Sequence, residues 1–235
     1  MKQFIYFALC ATTFFAACEK DNTTTTDTPI TAKSCKVTTV EAGDERQKIS
    51  YDSNNRINIV EVSYIHNNYV DRNIVYTYTS DKIKRSDYDS FFLLNSQGYP
   101  LQTTPNFYPH YDYEYNADGY LTKMIKTTRS FSTFIVVPTT YTYANGNRIS
   151  ETTNTITTNY EYYTDKSNDL LPTLIRDAGN LAIQFGKNNK NLLKKSTTNG
   201  VTDFQYTYNY NSDGLVSTLI DSSTSEVLKF FYTCK

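Results

Sequence analysis

Two histidines, scattered carboxylates, four cysteines and 22 tyrosines are the residues with chemical reach in this 235-residue chain. His66 lies in Tyr64-Ile65-His66-Asn67-Asn68, and His110 in Tyr108-Pro109-His110-Tyr111. Neither has a companion at metal-ligand spacing, so both read as surface or packing residues. Asn116-Ala117-Asp118-Gly119 and Asn211-Ser212-Asp213-Gly214 resemble calcium loops at first sight. Calcium wants about six to eight oxygens, and an EF-hand loop ends in a bidentate glutamate. Lys123 and Thr218 stand where further carboxylates would help, so these segments read as turns. Asp112, Glu114 and Glu161 would serve glycoside hydrolysis only as a pair about 5–9 Å apart, and charged residues alternating with tyrosine are expected on a solvated strand face. No Gly-x-Ser-x-Gly elbow or phosphate-cradling loop occurs. The expectation is a protein that is not an enzyme and uses no metal or cofactor.

Tyrosine is the exception. It presents a flat apolar ring and a hydroxyl, which suit stacking and hydrogen bonding at a binding site. It also favours strands, so the same residues serve as core. Their even spacing along the chain argues for architecture, because a binding site needs tyrosines only locally.

The elements that position them follow from internal repetition. YDYEYNADGYLTKMIK (111–126) and YTYNYNSDGLVSTLID (206–221) align without gaps. Looser copies begin at Ile49, Val75, Phe91, Tyr141 and Tyr160. Tyr111, Tyr113 and Tyr115 fall two apart and share one strand face, with Asp112 and Glu114 on the other. Asn116, Asp118 and Gly119, Asn145 and Gly146, and Asn211, Asp213 and Gly214 then supply turn chemistry and φ > 0. Each unit is a β-hairpin. Serial hairpins make an all-β antiparallel meander of about 12–14 strands, and open twisted sheets rarely exceed about 10. The sheet should curl into a barrel or half-barrel. A break near 174–193, with Pro172, Gly179 and Gly186 in or beside it, reads as a short helical or irregular insertion over one barrel end.

Cysteine use and the N-terminus set the compartment. Met1-Lys2-Gln3 precedes an uncharged, mostly apolar run to Ala17, then Cys18. That is a secretory signal over residues 1–17, too short for the roughly 20 apolar residues that span a bilayer. The small residues before Cys18 resemble the bacterial lipobox, which implies cleavage before Cys18 and its acylation. Residues 18–33 are polar and Thr-rich, a flexible tether, and 34–235 form a single repetitive β domain. Glu19-Lys20-Asp21 is similar to signals that send some Gram-negative lipoproteins to the cell surface. With Cys10 removed and Cys18 acylated, Cys35 and Cys234 are left. They either bridge, which the oxidising envelope permits, or stay as two free, buried thiols.

The Tyr-x-Tyr-Asn-x-Asp-Gly unit resembles the tyrosine–aspartate repeat of Rhs-type toxins and teneurins, although Gly119 and Gly214 lack the Arg-Leu that usually follows there. A closer resemblance is to a family of lipoproteins of unknown function with a porin-like fold. It rests on the lipobox, the Thr-rich tether, the hairpin units and Phe-Gly-Lys-x-x-Lys-Asn-Leu at 185–192. That resemblance implies a fold and carries no activity.

A net charge of −1 and a pI near 6.1 give no basic patch for nucleic acid. The expectation is a lipoprotein of a Gram-negative cell envelope, anchored to the outer membrane through lipid alone, periplasmic or surface-exposed. It would be a binding module for glycan, lipid or peptide. The alternatives are a structural scaffold of the envelope and, less favoured, a glycoside hydrolase.

Overall fold

The computed structural model describes residues 34–104, 108–168 and 184–235. The signal, Cys10, Cys18, the tether and residues 174–183 of the expected insertion lie outside them. The domain is built of sixteen antiparallel strands: β1 (Cys35–Ala42), β2 (Glu45–Tyr51), β3 (Ile57–Tyr64), β4 (Val70–Tyr78), β5 (Lys82–Arg85), β6 (Phe91–Leu94), β7 (Pro100–Thr103), β8 (His110–Tyr115), β9 (Leu121–Ser130), β10 (Thr133–Ala144), β11 (Asn147–Thr153), β12 (Ile156–Ser167), β13 (Asn191–Thr198), β14 (Val201–Tyr210), β15 (Val216–Asp221) and β16 (Glu226–Cys234). Every strand pairs with its chain neighbours, and β16 pairs with β1 to close the barrel. The count exceeds the expected 12–14 because β1, β13 and β16 lie in no copy of the repeat. No helix occurs among the described residues. The described part of the insertion, 184–190, is irregular, and Asn191 already belongs to β13.

Turn chemistry is local and explicit. Asn145 and Gly146 both have positive φ, 53° and 82°, the pair a two-residue type I′ hairpin turn requires. At Gly119 (φ 87°) the glycine N–H donates to Asn116 O at 3.0 Å, and Tyr120 N–H donates to Asn116 Oδ1 at 2.9 Å. Asn211 and Gly214 (φ 77°) repeat both bonds.

The seam between first and last strands is stapled. Cys35 lies opposite Cys234 in the β1–β16 register, and the two form a disulfide with Cα atoms 4.0 Å apart. It closes a loop with a sequence separation of 199, worth roughly 5 kcal/mol in the chain-entropy account.

A tyrosine brace recurs around the barrel. Where a hairpin ladder ends, the carbonyl two residues before the last paired residue accepts a tyrosine hydroxyl from three residues past its partner. In β1–β2 the last pair is Thr39–Lys48, and Tyr51 Oη donates to Val37 O at 2.7 Å. In β3–β4 it is Ile59–Val75, and Tyr78 donates to Ile57 O at 2.7 Å. Gln102–Asp112 is followed by Tyr115 to Pro100 O at 2.6 Å. Ser150–Asn159 is followed by Tyr162 to Arg148 O at 2.7 Å. Lys195–Gln205 is followed by Tyr208 to Leu193 O at 2.8 Å. Thr218–Lys229 is followed by Tyr232 to Val216 O at 2.7 Å. These bonds satisfy carbonyls that the strand ladder leaves behind. Two hairpins differ. Lys82–Leu93 of β5–β6 is followed by a backbone bond, Leu94 N–H to Asp81 O at 2.8 Å. Lys123–Thr140 of β9–β10 puts Tyr143 in the bracing position, yet its hydroxyl makes no hydrogen bond among the described residues.

The interior is filled on one side. Val37, Val40, Ile49, Val60, Val62, Ile74, Leu219, Leu228 and Phe230 form a continuous apolar core behind β1–β4 and β15–β16. β4 pairs with β3 through Val70–Val75 and with β5 through Tyr76–Tyr78, and β14 divides its pairing likewise at Gln205/Tyr206. Such divided strands are the corners where the wall bends.

Two outcomes follow. Tyr115→Phe or Tyr208→Phe should each cost about 1 kcal/mol in urea unfolding of the 34–235 domain, while Tyr143→Phe should stay within about 0.5 kcal/mol. Equal costs would contradict the brace. The second concerns pH. Burial raises the phenol pKa of Tyr51, Tyr78, Tyr115, Tyr162 and Tyr208, and pushes Tyr232 up to about 12 from 10.0. Unfolded tyrosines therefore lose protons first, and stability is full below pH 10 and falls as pH rises toward 12. In a tyrosinate absorbance titration these six phenols should ionise only together with loss of strand circular dichroism.

Candidate functional site

The half of the barrel away from the apolar core encloses a cavity of about 510 Å³. Its walls come from successive strands: Arg85 and Phe92 from β5 and β6, Tyr111 and Tyr113 from β8, Leu121 and Met124 from β9, Tyr141 and Tyr143 from β10, and Arg148 from β11. Tyr88, Ser90 and Pro109 reach it from turns at the end where β5–β6 and β7–β8 reverse, while Phe185, Lys187 and Asn189 reach it from the stretch before β13. Tyr111 and Tyr113 lie on one face of β8, their rings stacked 6.4 Å apart at 11°. Tyr115 continues that face as a brace. The period-2 reading of this strand therefore placed its tyrosines correctly.

The stretch after 184 forms one end of the cavity, a role that composition alone did not reveal. The Phe185 ring lies 5.0 Å from that of Tyr113 and 5.9 Å from that of Phe92. Gly186 permits this approach: a Cβ there would sit 2.7 Å from Gly119 O and 2.9 Å from Leu121 N. Lys187 N–H donates to Gly119 O at 2.8 Å, and Lys190 N–H to Gly146 O at 2.9 Å. Asn189 Oδ1 accepts Arg148 N–H at 2.7 Å. Asn191, buried, donates its N–H to Asn147 Oδ1 at 2.9 Å and accepts from Asn147 Nδ2 at 3.0 Å. Thus Gly119 and Gly146, expected only to turn the chain, also dock this segment. The signal in the sequence was the Phe-Gly-Lys-x-x-Lys-Asn-Leu run itself, with asparagines that answer one another across the barrel end.

The tyrosines of the cavity differ from the braces in what their hydroxyls do. Those of Tyr111, Tyr113 and Tyr143 make no hydrogen bond among the described residues, and that of Tyr141 reaches only Met124 Sδ, at 4.0 Å. Burial pushes the Tyr113 and Tyr143 phenols up and Tyr141 to about 12, so these three are neutral donors at neutral pH. Two cations are held rigidly among them. Arg148 lies between the rings of Tyr141 and Tyr160, 5.2 and 4.7 Å from their centroids, with Nη1 3.5 Å from Glu151. Burial works against its charge, but Tyr160 and Glu151 outweigh that and raise its pKa. Arg85 clamps Asp87 with two bonds, of 3.1 and 2.7 Å, and covers the Tyr88 ring at 4.5 Å.

The carboxylates considered for hydrolysis do not converge. Glu114 is exposed and pairs with Lys123 at 2.9 Å, and Glu161 lies 3.9 Å from Lys194. Asp112 pairs with His110 at 3.1 Å, and His110 Nδ1 lies 3.2 Å from Thr103 Oγ1. This hydroxyl–imidazole–carboxylate row is part of the wall: Thr103 is buried and its Oγ1 accepts Tyr111 N–H at 2.9 Å. His66 sits in the β3–β4 turn beside Tyr64. No cluster of three metal-ligating side chains occurs among the described residues. Asp118 and Asp213 are exposed turn residues.

No family model matches the sequence, and no curated protein matches it. Solved structures do. A porin-like protein from Bacteroides uniformis superposes with a TM-score of 0.59 at 14% identity, covering 87% of this chain and 97% of that one. A porin-like protein from Bacteroides vulgatus superposes with a TM-score of 0.59 at 13% identity, covering 83% and 98%. The Tc holotoxin pore of Photorhabdus luminescens aligns with a TM-score of only 0.23, over 10% of its chain, and the expected kinship with Rhs-type repeats finds no support. At such identities the likeness concerns the fold: this chain is an all-β closed barrel of sixteen strands, similar in fold to these two porin-like proteins.

Proposed function

We propose that this chain is an envelope lipoprotein, anchored through Cys18, whose barrel binds a small ligand in its tyrosine-lined cavity and does no chemistry on it. The observation that carries the reading is the division of labour among tyrosines. Seven hydroxyls, those of the six braces and that of Tyr163 on Tyr206 O, are spent on strand carbonyls, whereas those facing the cavity are left for a guest. The cavity volume of about 510 Å³ suits a ligand of a few rings, within the roughly 300–1,000 Å³ of small-molecule sites. No carboxylate stands among the described lining residues, which weighs against glycoside hydrolysis, since that needs two.

The wall favours a lipid tether over a membrane-spanning barrel. A lipid-facing wall wants about nine to eleven residues per strand and an apolar outer band. Strands β5 to β7 have four residues each, and the exposed positions of later strands include Thr140, Thr142, Asn159, Glu161, Gln205, Thr207 and Lys229.

One observation favours a second reading, an interaction scaffold. Thr133–Pro138 of β10 pair only with β9, since β11 joins from Thr139. This ribbon carries exposed Phe134, Ile135 and Val136, and Phe131 at its tip is 97% exposed. An apolar tip of this kind is a contact surface.

Glycan and lipid arrays probed with the 34–235 domain should give ligands whose binding is abolished by Ser90→Trp, at the cavity mouth, and kept by Phe131→Ser. The reverse pattern would replace the cavity reading with the scaffold. Cys18→Ala in the full chain should release the protein from membranes; unchanged membrane partition would contradict the anchor.

A further inference from the structure

We infer that the cavity takes a carboxylate borne on a flat ring; this rests on the cavity-binding reading and specifies its ligand. Three cationic side chains, Arg85, Arg148 and Lys187, stand among the described lining residues and no carboxylate does. The carboxylates that hold the arginines, Asp87 and Glu151, are not part of the lining. They orient the guanidinium groups from outside the site.

Those groups are also pre-positioned. Arg148 is sandwiched between two tyrosine rings and Arg85 covers a third, so little side-chain entropy remains to be lost when an anion binds. Arginine presents a planar fork that matches a carboxylate. Lys187 is exposed and has no ion pair among the described residues, its ammonium lying 5.6 Å from the Tyr120 ring. Its main-chain N–H, not its side chain, docks the segment on Gly119. Its charge is therefore free to serve a guest without loss of the fold.

The rest of the wall sets the body of the ligand. Tyr111 and Tyr113 offer parallel faces, and Phe185 and Phe92 meet edge-on beside them. Flat apolar or sugar rings stack on such faces. Neutral phenol hydroxyls supply donors around them. A neutral ligand would leave the Lys187 ammonium, the lining cation with no carboxylate beside it among the described residues, without an answering charge.

Sugar and aromatic acids share this chemistry, and the test separates them. Calorimetry with the 34–235 domain would use a galacturonic acid disaccharide against the galactose disaccharide, and 2-naphthoate against 2-naphthamide. The acid of at least one pair should bind at least tenfold more tightly than its neutral partner. Raising the salt concentration and Lys187→Gln should each cut that preference severalfold, and Lys187→Arg should restore it. The pair that responds identifies the ring. Neutral and acidic members binding alike, with Ser90→Trp blocking both, would overturn this inference and leave the cavity reading intact. Binding of neither acid, when the arrays give only neutral or lipid ligands, would also overturn it. No cavity-dependent ligand of any kind would remove both.

Discussion

A closed barrel must find a partner for each main-chain carbonyl at the frayed ends of its ladders, and here tyrosine hydroxyls provide six of them. An unpaired buried carbonyl costs about as much as a lost hydrogen bond, so the cost recurs at every hairpin. Tyrosine meets it economically. The ring packs inward as core and the hydroxyl reaches the carbonyl two residues beyond the neighbouring ladder. The same geometry, three residues past one partner and two before the other, holds from β1–β2 to β15–β16. The Cys35–Cys234 disulfide then joins the first strand to the last.

The cavity arises where this scheme is relaxed. At β9–β10 the brace position is filled by Tyr143, but its ring turns to Tyr120, 4.7 Å away. Around it the hydroxyls of Tyr111 and Tyr113 make no hydrogen bond among the described residues, and that of Tyr141 reaches only Met124 Sδ. Apolar residues that would fill the barrel elsewhere are replaced on this side by Arg85, Arg148 and Lys187. Gly186, pressed on Gly119, brings Phe185 against Tyr113. A barrel of this many strands is wide enough to leave an aqueous channel; here an apolar core lies behind β1–β4 and β15–β16, and the wall of β5–β6 and β8–β11 is shaped into a site.

Much of this was legible beforehand. Period-2 tyrosines and Asn/Asp-Gly corners specify hairpins, and serial hairpins beyond about ten strands must curl. The strand count fell short because Cys35–Ala42, Asn191–Thr198 and Glu226–Cys234 lie in no copy of the repeat. Which tyrosines brace was not legible. The gapless repeat matches Tyr115 with Tyr210, yet the braces are Tyr115 and Tyr208, because the β13–β14 ladder ends earlier relative to the repeat than the β7–β8 ladder does. Register between strands decides this, and a single repeat does not encode it. The cavity was equally hidden, since it joins Arg85, Arg148 and Lys187 from distant stretches. Phe185 to Leu192 stood out as a motif, but its role depends on Gly119 and Gly146, which looked like turn residues alone.

Everything turns on two classes of tyrosine, braced and uncommitted. Hydroxyl exchange, read as deuterium isotope shifts on tyrosine Cζ carbons in mixed H₂O/D₂O, separates them in one spectrum of the folded domain. Tyr51, Tyr78, Tyr115, Tyr162, Tyr208 and Tyr232 should give resolved, slowly exchanging pairs of signals, while Tyr111, Tyr113 and Tyr143 give single averaged ones. Protection of Tyr113 and Tyr143 equal to that of the six would contradict the account.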